Sequence, residues 1–280
     1  MVAFIGSSHQ RSQWRTMIQL PMVALPSLTS QALDALQTHI NAVTPYSERV
    51  YRARERFSAE NREDNETFGV IRRTLDAMCM GARRCMYCED SAACEVEHFR
   101  PKVFYPEFVF VWMNYLYSCG NCNRIKRGNF RVRCGVSEYL DLVRRRNDAV
   151  VEPTSGPNVL IDPRIEDPLQ YVSLDLSDTF FFVPRSDKGT EAHARAQYTI
   201  DCLKLNDRDY LTQARREAYG AYRARLYEYV EARGTERAHL LARSISRCGH
   251  RAVWTEMKAQ SVRIVELEYL FQNAPEAHKW

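Results

Sequence analysis

Apolar positions along the chain first repeat at helical spacing. Leu28, Ala32, Leu36, Ile40 and Val43 fall on one face after Pro26 and a Ser/Thr cluster suited to capping, which predicts a helix. Phe68, Ile71, Leu75 and Met78 repeat the pattern before Gly81, and the polar run ENREDNE at 60–66 separates the two. From 81 to 134 the helical period fades. Asp162-Pro163 and Asp167-Pro168 then mark turns, and YVSLDL and TFFFV predict a short hairpin around Ser177-Asp178. Helical spacing returns at 207–273. Leu211, Ala214, Ala218, Tyr222, Leu226 and Tyr229 form one stripe ending near Gly234, and Ala252 to Phe271 forms a second helix closed by Asn273 and Pro275. Tyrosines at this spacing read as core rather than as a stacking surface. The pattern predicts an α+β chain that is mostly α, in three parts: a helical region at 1–80, a small insert at 81–134, and a hairpin plus helical region at 135–280.

Composition leaves this picture intact and narrows the setting. The chain has 280 residues, 45% hydrophobic and 26% charged, which is ordinary for a globular protein. MVAFIG is too short for a signal peptide, and MIQLPMVALPSL is too short and too proline-broken to span a bilayer. The expectation is a cytoplasmic protein without a membrane partner, whose thiols stay reduced. Charge is uneven. Residues 81–134 carry nine Lys/Arg against five Asp/Glu, an excess equal to the whole chain's +4. That basic segment points to a polyanion partner.

The same segment holds six of the nine cysteines. Cys85 and Cys88 form one Cys-x-x-Cys pair, and Cys119 and Cys122 form another. Zinc takes four tetrahedral ligands, and two such pairs close a structural site, so structural Zn2+ is expected on these four thiolates. Cys79, Cys94, Cys134, Cys202 and Cys248 lack such partners and read as small hydrophobes.

Between the pairs lies EVEHFRPK, residues 95–102. A zinc-pinned loop then carries Glu97, His98 and Asn114, with Asn123 directly after the last cysteine. Phosphodiester hydrolysis needs a base for water, charge neutralisation on phosphate and a stabilised leaving oxygen. A neutral histidine serves as the base near pH 7. A divalent ion on hard oxygen ligands serves the other two, and Glu97 and Asn123 offer such oxygens to Mg2+ or Mn2+. Asn114 would hydrogen-bond backbone or His98 and fix the base. Arg100 and Lys102 are candidate phosphate contacts. Glu97 and His98 are adjacent, and in a regular strand they would face opposite ways, so both reach one site only where the strand ends or bulges.

C-x2-C, then EVEHFRPK, W-M-N-Y-L and S-C-x2-C-N-x2-K together resemble a zinc-containing HNH endonuclease of the ββα-metal class, most closely over 81–134. More narrowly, the chain resembles the PtuB-like nucleases of Septu and retron anti-phage systems. LIDPRIEDP and TIDCLKLNDRDYL extend that likeness loosely to about residue 215. The resemblance implies a ββα-metal module embedded between helical regions, with His98 as general base and Glu97 and Asn123 on the catalytic metal. It also implies Asn114 as the organising asparagine, Asn123 near a helix start, and Lys126 one turn on at phosphate. Many HNH enzymes carry Asp at the Glu97 position and His at the Asn123 position; both residues here still offer oxygen. The implied function is a metal-dependent endonuclease acting on nucleic acid, with DNA the expected substrate, as a defence effector beside a separate PtuA-like ABC-type ATPase. This agrees with the absence of a G-x4-G-K-[ST] loop from the sequence. Two alternatives stand beside it. One is a non-catalytic zinc module that docks nucleic acid or a partner protein, which would not need the Glu97/His98/Asn123 set. The other is an HNH nuclease of a restriction or mobile-element system.

Overall fold

A computed structural model describes residues 19–280; the MVAFIG segment and its reading lie outside them. The chain opens with three helices, α1 (Ser27–Asn41), α2 (Tyr46–Glu60) and α3 (Glu66–Met78). The polar break between α2 and α3 falls at ENREDNE, and Asn65 caps α3 by accepting from the Phe68 N–H at 2.9 Å. The inward face of α1 is Leu33, Gln37 and Ile40. Leu28, placed on the apolar stripe by spacing, is 79% exposed at the helix start.

Next come β1 (Glu95–His98), β2 (Tyr115–Ser118) and α4 (Gly120–Lys126). β1 and β2 are antiparallel, with Glu95 opposite Ser118 and His98 opposite Tyr115. A second antiparallel pair, β3 (Phe130–Arg133) and β4 (Tyr139–Leu142), comes after them. The expected hairpin is β5 (Val172–Leu174) with β6 (Phe182–Pro184), and its loop is wider than a two-residue turn. Asp175 holds that loop by accepting from the Ser177 and Thr179 N–H groups at 3.0 and 2.9 Å.

Five helices complete the chain: α5 (Glu191–Cys202), α6 (Asp209–Glu231), α7 (Glu236–Arg247), α8 (Arg251–Gln260) and α9 (Val265–Asn273). The α6 stripe is core: Leu211, Tyr222 and Leu226 are buried, and Tyr222 packs on Trp254 with ring centroids 5.1 Å apart. The single helix expected over 252–271 is two, broken at 261–264. The break lets Leu267, Leu270 and Phe271 turn back onto the Trp254 core, while Val262 and Val265 stay exposed. The described residues are thus α+β, with nine helices and three small strand pairs, and no helix among them is long and apolar enough to cross a membrane.

Two larger apolar cores hold most of these elements together. One joins α1–α3 to β1, β2 and β3 through Leu33, Phe57, Phe68, Val96, Tyr115 and Phe130. The other lies among α6–α9. Burial of such clusters, worth roughly 25 cal/mol per Å² of apolar surface, holds the small β1–β2–α4 unit against the helices.

Candidate functional site

Cys85 and Cys88 precede β1, Cys119 caps α4, and Cys122 lies in its first turn. All four are buried, and their sulfurs lie within 4.8 Å of one another. Four sulfurs about 2.3 Å from one tetrahedral centre would be roughly 3.8 Å apart, so the cluster is compatible with structural zinc. The other five thiols lie outside it and all nine are free; Cys94 and Cys134, read as small hydrophobes, are exposed. Leu203, Leu205 and Leu211 pack against these four cysteines from the C-terminal side. Arg208 donates to the Cys122 sulfur at 3.4 Å and to the Leu203 and Lys204 carbonyls. A donor on a thiolate is the usual outer support of a zinc site.

Beside the cluster, β1, the 101–103 segment and α4 enclose a cleft of about 820 Å³. Glu97, His98 and Asn123 all line it, as does Lys102. The neighbouring Glu97 and His98 share the cleft because β1 ends at His98 and the chain bends at once. The turn is held by Asn114. Its Oδ1 accepts from the Arg100 N–H at 2.7 Å, and its Nδ2 donates to the Arg100 and Phe108 carbonyls at 3.1 and 2.9 Å. Asn114 therefore acts on backbone, not on the imidazole.

His98 is 3% exposed, with its ring edge-on to Phe57 at 4.3 Å and to Tyr115 at 5.3 Å. Its Nε2 lies 3.0 Å from the Val109 carbonyl, which also accepts from the Tyr115 hydroxyl at 2.7 Å. A carbonyl only accepts, so Nε2 carries the hydrogen and the Nδ1 lone pair is the free one. Burial, then the charges of Lys102 and Lys126, hold the imidazole pKa well below its ordinary value against the opposing pull of the Val109 bond. The ring is neutral near pH 7. The 106–110 segment is tied in turn to α1: Gln37 accepts from the Phe110 N–H at 2.7 Å and donates to the Pro106 carbonyl at 3.1 Å.

Lys126, expected at phosphate, is instead fully buried. Its ammonium donates to Glu97 Oε1 at 2.7 Å and to the His98 carbonyl at 2.9 Å, so it braces α4 against the end of β1. Arg100 does not line the cleft; its guanidinium lies over Phe108 at 4.9 Å and Tyr105 at 5.6 Å. Lys102 does line it, above the Phe57 ring at 5.0 Å, and burial lowers its pKa. Asn123 donates through Nδ2 to Glu95 Oε2 at 2.5 Å. Arg54 of α2, Arg124 of α4 and Arg127 just past the end of α4 complete a basic rim.

A search of curated proteins finds a relative 29% identical over 156 residues, named Septu protein PtuB, from Bacillus thuringiensis. The match covers 54% of this chain and spans about half of that relative's length, 48%. No family model matches the chain, and no solved structure matches it. The similarity supports a relationship to Septu proteins, and the four-cysteine cluster fits a zinc-bearing member.

Glu95, Gln37, Arg208, Arg54, Arg124 and Arg127 were not among the expected site residues. Glu95 carried a signal, since it stands two residues before Glu97 and a two-residue step returns to the same strand face. Gln37 and Arg208 carried none: Gln37 is 73 residues from Phe110 and Arg208 is 86 residues from Cys122.

Proposed function

We propose that this chain is a metal-dependent endonuclease of the HNH ββα-metal type that hydrolyses phosphodiester bonds in DNA. In this reading residues 81–134 are the nuclease module, set between the N-terminal region at 1–80, helical over its described part, and the hairpin plus helical region at 135–280. The observation that carries it is the His98 arrangement. One ring nitrogen is committed to the Val109 carbonyl, and the other is free in a basic cleft shared with two oxygen-bearing side chains. A non-catalytic zinc module has no use for such a histidine.

The residues fit a divalent ion. Glu97 Oε2 and Asn123 Oδ1 make no hydrogen bond among the described residues, and both belong to side chains lining the cleft. These are hard donors suited to Mg2+ or Mn2+, with positions left for water and phosphate oxygens. Such an ion, when bound, neutralises phosphate charge and stabilises the leaving oxygen. The chain's own part is threefold. His98 Nδ1 takes the proton of the attacking water. The Val109 carbonyl and Asn114 keep the ring and its turn in place. Lys102, Arg54, Arg124 and Arg127 draw the backbone of the nucleic acid into the cleft.

The relative's name supports a relationship to a Septu system. We propose that the chain acts there in anti-phage defence, in the cytoplasm, beside a PtuA-like ABC-type ATPase. The test is nicking of plasmid DNA by zinc-loaded protein. The reading expects cleavage that requires Mg2+ or Mn2+, stops with EDTA and is lost in His98→Ala. Full cleavage by that variant would refute it. Co-purification with the ATPase tests the partner separately.

A further inference from the structure

The cleft poses a charge problem for a divalent ion. Of the two proposed ion ligands, Asn123 is neutral and Glu97 is already paired with the buried Lys126 at 2.7 Å. Glu97, Lys126 and Asn123 together carry no net charge, which is a poor environment for a divalent ion beside cationic Lys102. A second carboxylate lies in the same cleft. Glu95 is exposed, lines the cleft and is two residues along β1 from Glu97, on the same strand face. Its Oε2 accepts from the Asn123 amide at 2.5 Å. A carboxylate only accepts, so this bond fixes the Asn123 amide with Nδ2 toward Glu95 and Oδ1 turned away from it. Gly120 leaves room for this, since a Cβ there would sit 3.0 Å from Glu95 Oε1. The free Nδ1 of a buried histidine in the same cleft gives the ion a neighbour to act with.

We propose that Glu95 belongs to the divalent-ion site, where it orients the Asn123 amide oxygen and supplies the negative charge that Lys126 cancels on Glu97. This inference rests on the proposed nuclease reading and adds a residue to it. Glu95 is a positioning residue for Asn123 and a charge donor to the ion, so its loss weakens ion binding before it affects the base.

The test is Mn2+ binding to zinc-loaded full-length protein, followed by the electron paramagnetic resonance signal of free Mn2+. Wild type is compared with Glu95→Gln, Glu95→Ala and Asn123→Ala, and the Mn2+ dependence of plasmid cleavage is measured in parallel. Glu95→Gln keeps an oxygen that can orient Asn123 but removes the charge, and Glu95→Ala removes both. The expected result is Mn2+ binding weaker by about tenfold or more in Glu95→Gln and weaker still in Glu95→Ala. Cleavage by Glu95→Gln recovers at raised Mn2+. Far-ultraviolet circular dichroism and zinc content stay as in wild type. Should both Glu95 variants bind Mn2+ as wild type does while Asn123→Ala does not, the inference is overturned and the nuclease reading stands. Wild type that neither binds Mn2+ nor cleaves overturns both.

Discussion

Replacing Lys126 with methionine removes one partner of a buried ion pair and keeps the apolar stem. The Lys126 and Glu97 side chains are 0% and 6% exposed, and the ammonium also satisfies the His98 carbonyl. Breaking a buried pair from one side costs about 3–5 kcal/mol, because the remaining charge is left uncompensated. Glu97 borders the cleft, where water reaches it, so the charge penalty falls toward the low end. The lost bond to the His98 carbonyl adds about 1 kcal/mol. The expected loss is about 3–4 kcal/mol, a large share of the ~5–15 kcal/mol typical of a folded domain. Urea unfolding of zinc-loaded wild type, Lys126→Met, Glu97→Gln and the double variant measures it. The double variant should lose less than the two singles combined, with coupling of at least about 1.5 kcal/mol. A Lys126→Met protein within about 0.5 kcal/mol of wild type, or strict additivity, would show that the pair is not the brace described here.

Gln37→Ala strands the buried Phe110 N–H, so it should cost about 1–3 kcal/mol and also lower nicking, because the 106–110 segment carries the carbonyl that holds His98; unchanged stability and activity would contradict this. Arg208→Met should release zinc to a chelator about 10–100 times more readily than wild type, read by a colorimetric zinc indicator; an unchanged release would remove Arg208 from the zinc site. Burial pushes the Asp162 carboxyl up to about 6, so the folded state holds its proton where the unfolded chain, near 3.8, has lost it. That raised value costs stability as pH climbs from about 4 to about 6, by up to ~3 kcal/mol above that window. Asp162→Asn keeps an acceptor for the Arg164 N–H and should therefore gain stability over wild type as pH rises through that window, in urea titrations at about pH 4.5 and 7.5. An equal difference at both pH values would contradict the burial argument.

Local patterns carried much of this architecture. The polar break at 60–66 and the apolar stripe from Phe68 to Met78 mark α3, and the doubled Cys-x-x-Cys spacing located a cluster that closes in space. The cleft brings His98, Glu97 and Asn123 together because β1 ends where the motif's histidine stands. β3 and β4 escape the pattern although Phe130 and Val132 alternate with Arg131 and Arg133, a period-2 signal that a short strand offers only weakly. The break between α8 and α9 depends on where Trp254 sits, and periodicity is blind to that. Lys126 reads outward from sequence because lysines near such motifs face solvent by default. Only the fold shows that it is turned inward onto Glu97.

His98 as the base is the claim on which the proposed chemistry stands or falls. Single-turnover cleavage of a labelled DNA duplex at saturating Mg2+ or Mn2+ should slow by about 100-fold or more in His98→Ala, the contribution of a positioned general base. Zinc content should hold near the wild-type value. The melting temperature should fall because a ring packed on Phe57 and Tyr115 is lost, so the rates are compared well below the variant's melting temperature. A His98→Ala rate within about twofold of wild type would contradict that role.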